Sequence, residues 1–119
     1  MDKKPIVTKR IYENPSENDG FRVLVDRIWP RGVSKEEAKL DEWMKEIAPS
    51  TKLRKWFDHD PNKFEKFKER YGKELDNKPQ VLNKLIEMSS GAKVTTLLYA
   101  AKDKRHNHAR VLKKYLENR

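Results

Sequence analysis

The spacing of apolar and polar positions changes repeatedly along the chain, and each change marks an element. Ile6-Val7-Thr8-Lys9-Arg10-Ile11-Tyr12 is β-branched and partly alternating, which predicts a strand. Residues 14–20 are turn chemistry, rich in Asn, Pro, Ser, Asp and Gly. Residues 21–26, Phe-Arg-Val-Leu-Val-Asp, predict a second strand, and an apolar run broken only by Arg22 predicts burial on both faces. Trp29-Pro30-Arg31-Gly32 predicts a loop. Ser34 and Glu37 then form a capping-box signature. Leu40, Trp43, Met44 and Ile47 follow at helical spacing, so this helix is expected to run on to Ala48-Pro49-Ser50. Ser50 is placed to cap a short helix carrying Leu53, Trp56 and Phe57. Asp60-Pro61 is an N-cap with proline at the first helical position, and Phe64, Phe67, Tyr71 and Leu75 form the stripe behind it. Pro79 opens a helix with Leu82, Leu85 and Ile86, which Gly91 is expected to end. Residues 94–100 predict a third strand. Asp103 is expected to cap a last helix, with Val111, Leu112, Tyr115 and Leu116 on one face.

The resulting order, β-β-α-α-α-α-β-α, predicts a small layered α/β domain spanning residues 1–119. It is expected to hold a three-stranded, mostly parallel sheet packed with five to six helices. Residues 21–26 and 94–99 are expected to be neighbouring, parallel, buried strands, because several amphipathic helices separate them and provide a crossover. The first connection is short enough for a hairpin or for an unusually tight crossover. Trp43, Trp56 and Phe67 are expected in the core of the helical layer.

Composition narrows the chemistry. The chain has 119 residues, 28 Lys+Arg, 19 Asp+Glu and a formal net charge of +9. It has no cysteine, which excludes disulfides, thiol nucleophiles, thiolate zinc sites and Fe–S clusters together. No apolar run is long enough to span a membrane, and the N-terminal MDKKPIVTKR lacks a signal-peptide core, so a cytoplasmic protein is expected. The charge is uneven. Residues 102–119 hold seven Lys/Arg against two acidic groups, whereas residues 33–51 hold three against five. A basic segment attracts nucleotides, nucleic acid or phosphorylated metabolites, although Lys/Glu-rich surfaces also arise for solubility alone.

Two segments leave strand C-termini, where open α/β sheets collect ligands. The first holds Asp26, Arg27 and Arg31 around a rigid Trp-Pro turn. Arginine presents a planar fork suited to phosphate or carboxylate, and Asp26 is placed to orient one of them or act as a base. The alternative is an Asp26–Arg ion pair that ties the loop down. The second runs from Tyr99 through Lys102 to His108, from a strand end into a helix start, where free amides and the helix dipole favour anions. His108 precedes Leu112 by four and Tyr115 by seven, so it shares their inward face, as an acid, a base or a packed core histidine. His106 and His108 are two apart and do not point together on a helix, so no metal site is expected. Asp58-His59-Asp60 reads as a turn. No phosphate-binding glycine loop and no G-x-S-x-G elbow is present, and no cofactor is expected.

Phe21-Arg-Val-Leu-Val-Asp-Arg-Ile-Trp-Pro-Arg-Gly-Val-Ser-Lys-Glu resembles the signature of the YeaO-like family of uncharacterised bacterial and archaeal proteins. So do Leu40-Asp-Glu-Trp-Met-Lys-Glu-Ile-Ala-Pro-Ser, Leu53-Arg-Lys-Trp-Phe-Asp-His-Asp-Pro and Thr96-Leu-Leu-Tyr-Ala-Ala-Lys-Asp-Lys-Arg-His-Asn-His-Ala. The likeness covers nearly the whole chain and belongs to a wider group of domains of unknown function. Longer members of that group end a similar last strand in Cys-Ala-Glu, followed by Cys-His-Arg. Here Tyr99, Ala101, Asn107 and Ala109 replace Cys, Glu, the second Cys and Arg, while His108 matches. The resemblance implies a small α/β domain with a common site at the strand ends and a parallel rather than hairpin first strand pair. It implies that the thiol chemistry of the longer members is lost.

Together these features predict a domain that binds an anionic small molecule, a nucleotide or phosphorylated metabolite, in a basic cleft lined by Asp26, Arg27, Arg31, Tyr99, Lys102 and His108. In an enzyme, His108 or Asp26 would be general acid/base and the arginines would hold the anion. The alternative is a nucleic-acid-binding module using the basic C-terminal helix. A third reading is a protein-interaction domain whose charge serves only solubility.

Overall fold

The computed structural model describes residues 4–119. Strands β1 (Ile6–Arg10), β2 (Phe21–Leu24), β3 (Glu42–Trp43) and β4 (Thr95–Tyr99) form one sheet in the order β1-β4-β2-β3, and every neighbouring pair is parallel. The α-helices are α1 (Lys35–Ala38), α2 (Thr51–Phe57), α3 (Phe64–Asp76), α4 (Pro79–Met88) and α5 (His108–Glu117), with 3-10 turns at Glu17–Asp19, Lys45–Ile47 and Pro61–Lys63. The α/β class and the parallel sheet agree with expectation, but the sheet has four strands rather than three.

β4 is the centre. It pairs with β1 from Ile6↔Thr95 to Arg10↔Tyr99 and with β2 from Phe21↔Thr95 to Leu24↔Leu98. The neighbouring parallel pair expected between residues 21–26 and 94–99 is therefore present. Alternation explains why these strands read as unbroken apolar runs. Val23, Val25, Leu97 and Tyr99 enter one core with residues of α2, α3, α4 and α5. Leu24 and Leu98, one position out of phase, enter a second core with Ile11, Ala38, Trp29 and Trp43.

β1 and β2 are not paired, because β4 lies between them. Residues 11–20 carry the chain past one strand without reversing it, in fewer residues than a parallel crossover normally needs. A buried ionic cluster holds this tight path. Asp19 accepts from the Ser16 amide at 2.9 Å, from Lys9 Nζ at 3.1 Å and from the Arg22 guanidinium, while its carbonyl accepts from Thr96 Oγ1 at 2.6 Å. Gly20, at φ 64°, closes the path, and a Cβ there would collide with the Val94 carbonyl oxygen.

The fourth strand arises where a longer helix was expected. The Ser34–Glu37 capping box forms, but α1 lasts a single turn because Lys39 enters the left-handed region at φ 46°. Arg22, inside β2, donates to the Ala38 and Lys39 carbonyls at 2.7 and 3.1 Å and so satisfies the helix end. Asp41 exchanges hydrogen bonds with the Arg22 backbone, and Glu42–Trp43 then pair with Val23–Leu24. The spacing of Leu40, Trp43, Met44 and Ile47 reflects burial on a strand edge and a 3-10 turn, not one helix face.

Ser50 and Asp60 cap as expected. Two cap assignments are corrected. Met88, followed by Ser89 at the cap, ends α4 before Gly91 is reached. Asn107, not Asp103, caps α5, its side chain accepting from the Arg110 amide at 3.0 Å. Asp103 instead folds its own turn, accepting from the Arg105 and His106 amides at 2.8 and 3.0 Å. Of the three aromatics expected in the core, Phe67 is fully buried, whereas Trp43 and Trp56 are half-buried.

Candidate functional site

Because β1, β4 and β2 are parallel, their C-terminal ends lie on one edge, and a cleft of about 770 Å³ opens there. Residues 26–31 after β2 and 100–103 after β4 form two of its walls, and Asn107 and His108 contribute from the start of α5. Ala48, Pro49, Arg54, Phe57, His59 and Phe67 close the remaining side.

Asp26 and His108, separated by most of the chain, join these walls. His108 Nε2 lies 3.0 Å from the Val25 carbonyl and 2.9 Å from Asp26 Oδ1. A carbonyl can only accept, so Nε2 carries the proton, and its N–H is directed at Val25. Oδ1 is therefore in ion-pair range but has no directed hydrogen bond, a buried acceptor left open. Oδ2 accepts from the Ala100 amide at 3.0 Å. The Asp26 carbonyl accepts from the Trp43 indole at 2.7 Å. The alternative considered from the sequence, an Asp26–Arg ion pair, is not seen among the described residues; His108 lies beside Asp26 instead.

The cations of the cleft fall into two groups. Arg27 is held back, donating to the Pro49 and Ala48 carbonyls, both at 3.2 Å. Arg31, Arg54 and Lys102 are exposed at the mouth, and no carboxylate among the described residues reaches any of them. Among the described residues, Asp26 and Asp103 are the acidic groups of the lining, so four fixed cations face two carboxylates, a local charge of +2 before any contribution from His59 and His108. Asp103 is held as a carboxylate: the His106 and Arg105 amides and the His106 ring, 2.9 Å away, bring its pKa down to about 2. His106 also sets its ring edge-on to Phe64, so the two histidines of the last segment serve different partners, as their spacing implied.

Of the six expected lining residues, the structure brings together Asp26, Arg27, Arg31, Lys102 and His108. Tyr99 is not among them. Its ring is 2% exposed and belongs to the core under α5, where burial raises its phenol pKa. The reason is alternation: Ala100, the next residue, is the one that faces the cleft. Sequence reasoning missed Arg54, His59 and the aromatic wall of Phe57 and Phe67. Leu53 and Phe57 marked the buried face of α2, but which loop Arg54 would meet depended on tertiary packing. The C-terminal end of β1 was missed as well. Arg10 donates to the Ala101 and Ala100 carbonyls at 2.9 and 3.2 Å, and Tyr12 donates to the Arg31 carbonyl at 3.0 Å, so this segment braces both loops. The rule that parallel strand ends share an edge would have pointed to it once β1 was paired.

Asp58 and His59 both take positive φ, 47° and 56°, which turns the chain sharply between α2 and Pro61 and sets His59 at the cleft. Among the described residues, no group of three or more His, Asp or Glu side chains is arranged to hold a metal ion, and no helix is long and apolar enough to cross a membrane.

The family model described as the inactive DUF488-N3 subclade matches residues 5–119. The uncharacterised protein YeaO of Escherichia coli (strain K12) is 43% identical over 113 residues, covering 95% of this chain and 97% of the relative. The uncharacterised protein Rv3073c of Mycobacterium tuberculosis (strain ATCC 25618 / H37Rv) is 40% identical over 110 residues, covering 92% of each. No solved structure gives a significant match.

Proposed function

The chain belongs to the YeaO-like family and to the inactive DUF488-N3 subclade, a domain of unknown function, and on that premise we propose that it is a binding module for an anionic small molecule held in the strand-end cleft. The observation that carries this reading is the trio Arg31, Arg54 and Lys102. Three cations from separate elements face one concavity without a carboxylate partner. Uncompensated like charges repel, and an anion bound among them relieves that repulsion while accepting charge-assisted hydrogen bonds.

Asp26 and His108, the candidates for acid/base work, act here as a brace. Their hydrogen bonds go to the Ala100 amide and the Val25 carbonyl, so they fix the two loops that present the cations. A module that binds without turnover agrees with the absence of cysteine and with the description of the subclade as inactive. The concavity also favours a small ligand over a nucleic-acid duplex, which requires an extended basic face.

The test is a thermal-shift screen of the whole chain against nucleotides, phosphorylated metabolites and inorganic phosphate. At least one anion should raise the melting temperature, and Arg54→Ala and Lys102→Ala, both exposed, should melt like the wild type while losing that shift. An absence of any shift across the panel would refute the proposal.

A further inference from the structure

Among the described residues, three that are not glycine take a positive φ: Lys39, Asp58 and His59. Such a backbone is unfavourable for a residue with a Cβ, whereas glycine adopts it without a steric penalty. Lys39 and Asp58 each stand at the end of a helix, α1 and α2, where a left-handed residue commonly stops the winding. His59, at φ 56°, has no such place. We infer that His59 is a ligand-binding residue of the strand-end cleft, held by a strained backbone so that its imidazole donates to the bound anion. This inference rests on the reading of the cleft as an anion site and names a further contact in it.

The fold makes little use of this side chain. His59 is exposed, and among the described residues no hydrogen bond or ion pair reaches its imidazole. Its ring contact with Phe57 is tilted, with 6.4 Å between centroids, near the long end of the range in which aromatic rings attract. The residues on either side have structural tasks. The Asp58 amide donates to the Arg54 carbonyl at 3.0 Å, and the Asp60 side chain accepts from the Asn62 amide at 2.9 Å. A glycine at position 59 would make the same turn with less strain, so what histidine adds is its side chain. That side chain borders the cleft that Arg31, Arg54 and Lys102 also line. An imidazole has one N–H donor when neutral and two when charged, so it serves an anion in either state. Asp58 shares the left-handed backbone but does not line the cleft, and it therefore separates strain from ligand contact.

The test is a set of single substitutions in the whole chain, each read by melting temperature and by isothermal titration with inorganic phosphate and pyrophosphate. His59→Gly should melt a few degrees above His59→Ala, because alanine keeps the strained Cβ and glycine removes it. Both variants should bind the anions about tenfold more weakly than the wild type, the loss expected for one hydrogen bond to a charged group. Asp58→Gly should not weaken binding. His59→Gly melting below His59→Ala would show that the backbone is unstrained and overturn the inference. Wild-type affinity in both His59 variants would overturn it as well, and a loss of binding in Arg54→Ala would then show that the anion reading stands without it. Equal weakening by Asp58→Gly and His59→Gly would assign the effect to the shape of the loop, which also overturns it. No binding of either anion by the wild type would overturn both readings.

Discussion

Replacing Arg22 with methionine tests the account of the tight crossover. Arg22 is 5% exposed, and its guanidinium bonds the Asp19 carboxylate, the Ala38 carbonyl and the Lys39 carbonyl. Methionine fills similar apolar volume but supplies none of these donors. Breaking a buried pair by removing one partner costs about 3–5 kcal/mol. Asp19 retains Lys9 and the Ser16 amide, which moves the estimate toward the lower end. The Ala38 carbonyl, left buried without a donor, adds about 1–3 kcal/mol. A loss of about 4 kcal/mol is expected, a large part of the roughly 5–15 kcal/mol that stabilises such a domain. Urea denaturation at neutral pH should show the midpoint fall with the slope unchanged, because the surface exposed on unfolding is the same. A loss under about 1 kcal/mol, the range of an ordinary surface change, would mean that the crossover is held by its backbone and Gly20 rather than by the ionic cluster.

The same cluster sets an acid response. Burial works to raise the Asp19 pKa, but the hydrogen bonds from Ser16, Lys9 and Arg22 outweigh it and hold the group below 3.8. A carboxylate depressed on folding contributes stability that is present above its unfolded pKa and lost as pH falls through the folded value. The wild type should therefore lose stability below about pH 4. Asp19→Asn should be less stable at neutral pH but flatter across that acid range, and parallel curves for the two proteins would contradict the assignment. In the core, Phe67→Ala should cost about 3–5 kcal/mol as a buried ring. Trp43→Ala should cost less, since the indole is half-buried, though it loses a hydrogen bond to the Asp26 carbonyl and an edge-on contact with Trp29. The reverse order by chemical denaturation would refute the burial argument.

The chain shows which parts of a fold local patterns can report. β2 and β4 were legible because a central parallel strand is apolar on both faces and therefore appears as an uninterrupted run. α3 was legible because its stripe, Phe64 through Leu75, faces a single core. β3 was hidden for the opposite reason. It is two residues long at a sheet edge, and its flanking apolar residues fall at a helical spacing by coincidence of burial. Its existence depends on Arg22, nineteen residues before Asp41, bonding that segment's backbone and side chain. No window of a helical length contains both partners. The last helix repeats the lesson on a smaller scale. Asp103 and Asn107 are both good caps by residue type, and the choice was made by Asp103 receiving the amides of Arg105 and His106, which folds the intervening loop and leaves Asn107 at the helix start.

At the cleft, topology was more legible than occupation. That the loops after residues 26 and 99 meet followed from two adjacent parallel strands, and His108 faced the same edge by its spacing to Leu112. What no spacing could reveal is which charges remain available. Arg27 and Arg31 sit on one short loop and look alike in the sequence, yet Arg27 is turned onto the Ala48 and Pro49 carbonyls while Arg31 points to an open mouth. Asp26, which the sequence left open as an arginine's partner or a base, lies beside a histidine from the far end of the chain. Both outcomes arise from one constraint. The backbone between β3 and α2 presents carbonyls that need donors, and Arg27 pairs the Ala48 and Pro49 carbonyls, sharing the first with Lys78. With Arg27 turned there, Asp26 accepts from the Ala100 amide and lies in ion-pair range of His108. The carbonyls of a distant loop thereby make one of two neighbouring arginines scaffold, while the other stays exposed with no carboxylate partner among the described residues.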